Sequence, residues 1–206
     1  MKGKGRQNML EIKILQSRKE LERTDKIYVG YQLWGTENMP ETYAHIGYVP
    51  GEGFYVKMVC QEKDPLRKYT NHMDPVCLDS AMEIFFQMPQ FSDEYLNFEM
   101  NANGVMLTAH GPNRAKRTTF TLEQVEAMQC QAEMTEENWW VSYLIPESVL
   151  QSVYGDICLE RGSQFLINFY KVCEGRIPGE FGSYTYIPLE YPSFHETEYF
   201  AEAVLV

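Results

Sequence analysis

Residues 79–101 read DSAMEIFFQMPQFSDEYLNFEMN and predict two neighbouring strands joined by a turn. Successive side chains of a strand point to opposite faces, so the apolar positions 82, 84 and 86 share one face and Glu83 lies on the other. The second run repeats the pattern, with positions 96, 98 and 100 apolar and Tyr95, Asn97, Glu99 and Asn101 between them. Pro89 and the polar residues 90–93 favour a turn. The sequence therefore predicts a hairpin with one apolar and one polar face.

The polar face of this hairpin has an unusual composition. Any antiparallel sheet with one solvated face alternates in this way, and that is the commoner explanation. Here, however, the face combines amides, carboxylates and aromatic rings, and it carries no lysine. Amides offer donors and acceptors together, carboxylates accept hydrogen bonds, and aromatic rings cover the C–H faces of a sugar. We therefore take Glu83, Glu99 and Asn101 as candidate residues for binding a neutral polyol.

Charge and cysteine content limit the classes of function and the compartment. The 206 residues suit one domain. A formal net charge of -11 argues against a nucleic-acid partner, because phosphate neutralisation needs a basic surface. The five cysteines form no close pair or zinc-type spacing, which favours reduced thiols and a cytoplasmic location. The basic N-terminus has no apolar segment after it, so we expect no secretory signal unless a leader was removed. No stretch of the sequence is long and apolar enough to span a bilayer, so we expect no membrane association.

Further strands follow along the whole chain. Alternating or β-rich runs occur at 10–15, 27–34, 43–49, 54–61, 104–110, 138–145, 165–172, 184–189 and 199–206, and turn residues separate them. Thr121 with Gln124 resembles a capping box, and Pro146 suits the start of a helix. This pattern predicts an all-β fold, an antiparallel β-sandwich of jelly-roll type with one or two short helices. Trp34 is interpreted as a core anchor rather than a sugar platform.

Other polar side chains add candidates to the site. The loop 111–117 reads GPNRAKR, and its Arg114 and Arg117 are planar donors suited to hydroxyls or carboxylates, although solubility alone explains them equally well. On the run 165–172, Asn168 and Tyr170 face away from the apolar positions. His72 and Asp74 lack a third metal ligand at a suitable spacing, so no metal site is predicted.

Catalytic motifs are missing from the sequence. It has no nucleophile elbow, zinc-protease motif, phosphate-binding glycine loop or dinucleotide fingerprint. A glycosidase needs two carboxylates on either side of a sugar, and Glu83 with Glu99 on adjacent strands leaves that alternative open.

Five segments in order resemble the family 9 carbohydrate-binding modules, in particular their stand-alone branch. They are DSAMEIFF from 79, YLNFEMNANG from 95, WWVSYLIP from 139, INFYK from 167 and FHETEYF from 194. The resemblance runs from about Trp34 to the C-terminus and implies a β-sandwich that holds a terminal saccharide between two tryptophans above amide, carboxylate and arginine groups. We accordingly divide the chain into an N-terminal extension, 1–26, and a module, 27–206.

Individual residues take roles by this resemblance. The motif carboxylate falls on Glu83, with Asp79 opening the strand, and the polar positions fall on Glu99 and Asn101. One aromatic wall falls near Phe194 or Tyr186. The other wall is expected before Asp79, where this chain has Pro75, Val76, Cys77 and Leu78 and no tryptophan; Tyr69 is the nearest substitute. The calcium found in some members has no matching acidic cluster here, and no cofactor is expected.

The sequence thus predicts a non-catalytic protein that binds a neutral saccharide or glycan end and serves carbohydrate catabolism. Its partners would be a mono- or oligosaccharide and a glycan-degrading enzyme. Two alternatives stay open: a glycoside hydrolase using Glu83 and Glu99, and a protein-interaction sandwich that has lost the sugar site. The predicted sugar-binding residues are Glu83, Glu99, Asn101, Arg117, Asn168, Tyr170, Tyr186 and Phe194.

Overall fold

The computed structural model of the chain describes residues 9–206. Its strands are β1 Leu10–Ile14, β2 Ile27–Tyr28, β3 Tyr31–Gln32, β4 Thr42–Val49, β5 Gly53–Cys60, β6 Ala81–Gln87, β7 Tyr95–Asn101, β8 Met106–Gly111, β9 Thr118–Thr119, β10 Gln131–Met134, β11 Trp139–Pro146, β12 Gln164–Cys173, β13 Glu180–Ser183 and β14 Ala201–Leu205. The α-helices are α1 Leu122–Ala127 and α2 Glu147–Tyr154, and short 3-10 helices cover Arg18–Arg23, Val76–Leu78, Arg114–Lys116 and Thr197–Tyr199. The predicted all-β class is confirmed.

The strands form one large curled sheet. Its order is β10-β11-β5-β4-β1-β14-β12-β6-β7-β8-β9, with β2, β3 and β13 attached beside this path. The prediction of a purely antiparallel sheet is wrong, because β1 pairs in parallel with both β14 and β4. Side-chain alternation reports which face a residue occupies and carries no information on strand direction, so sequence could not reveal this.

Strand β1 connects the two halves of the sheet. It lies in the segment that sequence analysis assigned to an N-terminal extension, upstream of residue 27. In the structure it pairs through Leu10, Glu11 and Ile12 with β14 and through Lys13 and Ile14 with β4. Residues 10–14 are therefore part of the same sheet as the rest of the chain.

The two halves of the sheet face each other across one apolar core. Phe54 of β5 contacts Phe86 of β6 and Phe165 of β12, each at a ring-centroid distance of 5.3 Å. Phe98 of β7 lies 6.3 Å from Tyr143 of β11. These contacts give the two-layered packing of a β-sandwich.

The predicted hairpin of residues 79–101 is confirmed as β6 and β7. Met82 pairs with Met100, Ile84 with Phe98 and Phe86 with Leu96, and all six enter the main core. The opposite face of these strands carries Glu83, Asn97 and Glu99, as predicted.

That opposite face is covered instead of solvated. The strand predicted at 184–189 does not form; β13 ends at Ser183, and the chain continues as an irregular segment that reaches the 3-10 helix Thr197–Tyr199. A second apolar cluster lies on the outer face, where Phe85, Tyr170 and Val172 pack with Leu33, Ile187, Phe194 and Phe200. The run 27–34 also differs from the prediction, since it holds two separate short strands, β2 and β3. The segment after β13 and the residues of the outer cluster leave a pocket above Glu83 and Glu99.

Candidate functional site

Two carboxyl groups form the floor of this pocket. Glu83 on β6 is paired directly with Glu99 on β7, and strand alternation points both side chains to the outer face. They are 3% and 4% exposed. We call the space above them, lined by residues that include Trp34, Glu83, Glu99, Arg114, Arg117 and Phe194, the carboxyl pocket.

Glu99 is held by neighbouring polar side chains. Asn97 donates to its Oε1 from Nδ2 at 3.0 Å. Arg117 donates from Nη1 to Asn97 Oδ1 at 2.9 Å and lies 3.7 Å from Glu99 Oε1. Arg117 itself is held in place by a bond from its Nε to the Arg114 carbonyl at 3.2 Å. Both contacts to Glu99 favour its charged form.

Glu83 has a different environment. Within residues 9–206, no group donates a hydrogen bond to its carboxyl and no cation pairs with it. Burial, followed by the charges of Glu99 and Glu174, raises the pKa of Glu83 well above its ordinary value. Burial is also the main cause that raises the pKa of Glu99, and the Arg117 charge opposes it. The free carboxyl of Glu83 faces the pocket and is available to a ligand.

Aromatic rings form one side of the carboxyl pocket. Phe194 stacks on Tyr170 with 4.1 Å between centroids and an interplanar angle of 17°. The half-buried Trp34 lies 5.4 Å from Phe194 and 5.5 Å from Phe181. Its Nε1 donates to the Leu189 carbonyl at 2.8 Å, and its backbone has φ of 51°, a region rare for a bulky residue. The structure thus fixes an indole ring at the pocket edge.

His195 closes the pocket beside Tyr95. The Tyr95 hydroxyl and His195 Nδ1 are 2.7 Å apart. Burial, aided by the nearby Arg117 and Arg114 charges, lowers the pKa of His195 to about 3. The imidazole is therefore neutral, and His195 adds no charge to the pocket.

The rim combines opposite charges around a small space. Arg114 and Glu174 are exposed and line the opening, and Cys77 lies below them. Burial raises the pKa of the Cys77 thiol to about 12, with Glu99 and Glu83 adding to the effect, so it stays protonated. The enclosed space is about 70 Å³.

The structure brings together four of the predicted site residues, namely Glu83, Glu99, Arg117 and Phe194. Asn101, Asn168 and Tyr170 are fully buried and do not line the pocket. Tyr186 is 61% exposed and lies outside the pocket, 5.7 Å from the ring of Tyr31. Tyr69 is also absent from the lining.

The two buried amides bond to the protein. Asn101 Nδ2 donates to Asp79 Oδ2 and to the Tyr69 carbonyl, each at 2.9 Å. Asp79 in turn accepts from the backbone amides of Lys68 and Tyr69. Asn168 Nδ2 donates to Thr185 Oγ1 at 2.7 Å. Asn101 therefore anchors the loop before β6, and Asn168 anchors the segment after β13.

The lining residues that sequence reasoning missed include Trp34, Arg114, Glu174 and His195. Arg114 was considered together with Arg117 but was not included among the predicted site residues. Sequence analysis assigned Trp34 to the core. A lone tryptophan at the end of a β-rich run does not indicate a left-handed backbone conformation. Glu174 and His195 are far from β6 in sequence, and no local pattern identifies them.

In residues 9–206, no three His, Cys, Asp or Glu side chains are grouped to hold a metal ion. None of the helices in this range is long and apolar enough to cross a membrane.

One family model matches most of the chain. The family model described as carbohydrate-binding family 9 matches residues 17–205. A crystal structure of a candidate carbohydrate-binding protein from Bacteroides uniformis is similar, with TM-score 0.81 and 20% identity over 96% of this chain and 99% of that one.

Two family 9 module structures from Caldicellulosiruptor kristjanssonii are similar as well. The cellotriose complex has TM-score 0.65 and 8% identity over 96% of this chain and 93% of that one. The glucose complex has TM-score 0.64 and 10% identity over 95% of each chain. At these identities the solved structures support the fold alone. No curated protein matches the sequence.

Proposed function

Because the chain belongs to carbohydrate-binding family 9, we propose that its carboxyl pocket binds a saccharide without cleaving it. The observation that carries the proposal is the carboxyl of Glu83, which is 3% exposed and lacks an internal hydrogen-bond donor in the described chain. At this exposure water solvates the carboxyl only in part. Hydroxyl groups of a bound sugar would supply the missing hydrogen bonds.

The other pocket residues have complementary roles in this proposal. Glu99 bonds sugar hydroxyls while Asn97 and Arg117 hold it in position. Trp34 and Phe194 present apolar ring surface to the C–H face of the sugar. The space of about 70 Å³ is far below the ~300–1,000 Å³ of pockets that enclose a drug-sized ligand. The pocket therefore suits the edge or end of a neutral mono- or oligosaccharide.

The wider setting of the proposal comes from the family, which suggests a catabolic role and an enzyme partner, and from the cysteine pattern, which suggests the compartment. We place the protein in carbohydrate catabolism, in the cytoplasm, with a glycan-degrading enzyme as its partner. The jelly-roll connectivity expected from the sequence belongs to the same proposal. Glucose and cellotriose, which appear in the two Caldicellulosiruptor complexes, are the first ligands to try.

The hydrolase alternative fits the pocket less well. Glu83 and Glu99 project from adjacent strands of one floor, and Glu99 is already bonded to Asn97. A glycosidase places its two carboxyl groups on either side of the scissile bond. Turnover of an aryl glycoside that disappears in Glu99→Gln would overturn the binding proposal in favour of an enzyme.

The proposal is tested by calorimetric titration of glucose, cellotriose and a panel of other neutral saccharides. Saturable binding should weaken by at least about tenfold in Glu83→Ala, since a hydrogen bond to a charged or buried group contributes about 1.5–3 kcal/mol. Glu133→Ala, at an exposed position of β10, is the matched control and should bind like the parent protein. Unchanged binding in a folded Glu83→Ala variant would contradict the assignment of the site.

A further inference from the structure

Glu83 and Glu99 are neighbours on the floor of the carboxyl pocket. They occupy directly paired positions on adjacent antiparallel strands, where Cβ atoms lie about 4.5–5.5 Å apart. Both are almost fully buried. Two negative charges at such a distance in a desolvated site repel each other, and one of them then keeps its proton.

Charged and titratable groups approach Glu83 from every neighbouring element. Glu99 faces it from β7, and Tyr170 is its pairing partner on β12. The loop after β8 and the segments after β12 and β13 add Arg114, Arg117, Glu174 and His195, and Cys77 lies below. Lys171, one residue beyond Tyr170, projects to the other face of β12 by strand alternation.

The pocket is electrically neutral only if one proton is retained. Glu83, Glu99 and Glu174 supply three potential negative charges, and Arg114 and Arg117 supply two positive charges. His195 is uncharged, because its pKa is lowered to about 3, and Cys77 stays a thiol. One proton on the carboxyl pair balances the remaining charges.

The surroundings of the two carboxyl groups determine which of them keeps the proton. Glu99 accepts from Asn97 at 3.0 Å and lies 3.7 Å from Arg117, and both contacts favour the ionised form. Glu83 has neither contact in the described chain. Burial raises the pKa of both groups, to about 7 for Glu99, where Arg117 and Asn97 oppose the shift, and well above the ordinary value for Glu83, where the Glu99 charge adds to it.

We propose that Glu83 and Glu99 share one proton at neutral pH, and that Glu83 meets the saccharide as a neutral carboxylic acid. In that form it donates one hydrogen bond and accepts another. The inference rests on the proposed saccharide-binding function and adds two properties to it. The ligand must present an acceptor oxygen to Glu83, and affinity must fall when the pair loses its proton at higher pH.

The shared proton is tested first without any ligand. Carbon-13 NMR of protein labelled at the glutamate carboxyls follows each titration in the full chain. We expect the glutamate signal that is missing from Glu83→Gln to titrate well above the ordinary carboxyl range and above the signal of Glu99. If every glutamate titrates in the ordinary range, the inference is overturned.

The role of the proton in binding is tested by calorimetry with glucose and cellotriose between pH 5.5 and 9. The parent protein should lose affinity by at least about tenfold across this range. Glu83→Gln should bind more tightly than Glu83→Ala, because an amide also donates and accepts, and its affinity should depend on pH less than that of the parent protein. Glu133→Gln should keep the parent pH profile.

The outcomes separate the inference from the proposed function. Binding that is independent of pH overturns the inference and leaves the saccharide site intact. The same holds if Glu83→Gln binds no better than Glu83→Ala. Absence of binding at every pH overturns the proposed function and, with it, the role of the proton in binding.

Discussion

Glu83 is the residue whose chemistry distinguishes this pocket from an ordinary sheet face. Its carboxyl is buried opposite that of Glu99, at a position where water cannot fully solvate a charge. Such a group makes the folded state less stable once it ionises. Buried carboxyl pairs with raised pKa values are typical of functional sites.

The unfavourable ionisation of Glu83 in the folded state predicts how the free energy of unfolding depends on pH. The pKa of Glu83 is raised in the folded state, so the unfolded chain ionises first as pH rises above about 4.3. The free energy of unfolding therefore falls with rising pH until the folded pair ionises as well. Glu83→Gln should remove part of this fall, about 1.4 kcal/mol for each unit by which the pKa is raised.

The measurement is urea denaturation of both proteins between pH 4 and pH 8. The difference in unfolding free energy between the variant and the parent protein should grow with pH. A constant difference would mean that Glu83 titrates normally in the folded state. Glu133→Gln, which changes an exposed acid on β10, corrects for the loss of one negative charge.

At the scale of elements, β12 is tied to its neighbours by a buried ion cluster. Lys171 is fully buried and lies 3.6 Å from Glu62 and 3.7 Å from Glu180 of β13. Arg176 contacts the same two carboxylates at 2.7 and 2.8 Å. The cluster fixes the turn that leads from β12 to β13 and so positions Glu174 and Phe181 at the pocket.

Breaking this cluster should be costly. Lys171→Met removes the buried cation and leaves Glu62 and Glu180 paired with Arg176 alone, and we expect a loss of about 3 kcal/mol in unfolding free energy. Lys63→Met is the matched control, since Lys63 and Glu137 form a 2.7 Å pair that is 68% exposed on both sides, worth at most about 1 kcal/mol. Equal losses in thermal or urea denaturation would contradict a structural role of the cluster.

The hairpin of β4 and β5 depends on one glycine that approaches β11. Gly53 has φ of 135°, and a Cβ there would lie 2.1 Å from the Ile145 carbonyl oxygen. Gly51 in the same turn has φ of 79° but open space around it. Gly53→Ala should therefore be more destabilising than Gly51→Ala by at least about 2 kcal/mol in urea denaturation. Similar stabilities would show that β11 can move away from the turn.

At the scale of the whole molecule, β1 closes the curled sheet. It pairs with β14 on one side and β4 on the other, and its Ile12 enters the main core with 1% exposure. Ile12→Ala should cost about 2–5 kcal/mol, whereas Glu11→Ala, at the exposed neighbouring position, should cost at most about 0.5 kcal/mol. Thermal unfolding of both variants checks the difference, and equal effects would show that β1 is dispensable.

Sequence reasoning succeeded where the determinants are local. The alternation in residues 79–101 correctly assigned Met82 and Phe98 to the core and Glu83 and Glu99 to the other face. It could not show that the segment after β13 covers this second face. Alternation indicates the face to which a side chain points, but it does not indicate which other segment packs on that face. For the same reason Asn101 resembled a ligand-binding amide although its Nδ2 bonds to Asp79 and Tyr69.

The remaining differences between the prediction and the structure come from contacts between residues that are far apart in the sequence. Trp34 reaches the pocket because its indole is bonded to Leu189, 155 residues away. Arg117 was predicted from its loop, yet its contact with Glu99 depends on how the loop after β8 folds back over β7. Interactions across such separations are set by the assembled sheet and leave no periodic signal in the sequence.

The central claim, that a saccharide binds in the carboxyl pocket, is tested most directly by the three tryptophan indole N–H signals in nitrogen-15 NMR. Trp34 lines the pocket, Trp139 is fully buried and bonded to Glu62, and Trp140 lies on the outer face of β11 beside Lys57. Titration with glucose or cellotriose should shift the Trp34 signal in a saturable manner and leave the other two in place. A saturable shift of Trp140 with Trp34 unmoved, or no shift of any indole at millimolar sugar, would contradict the account.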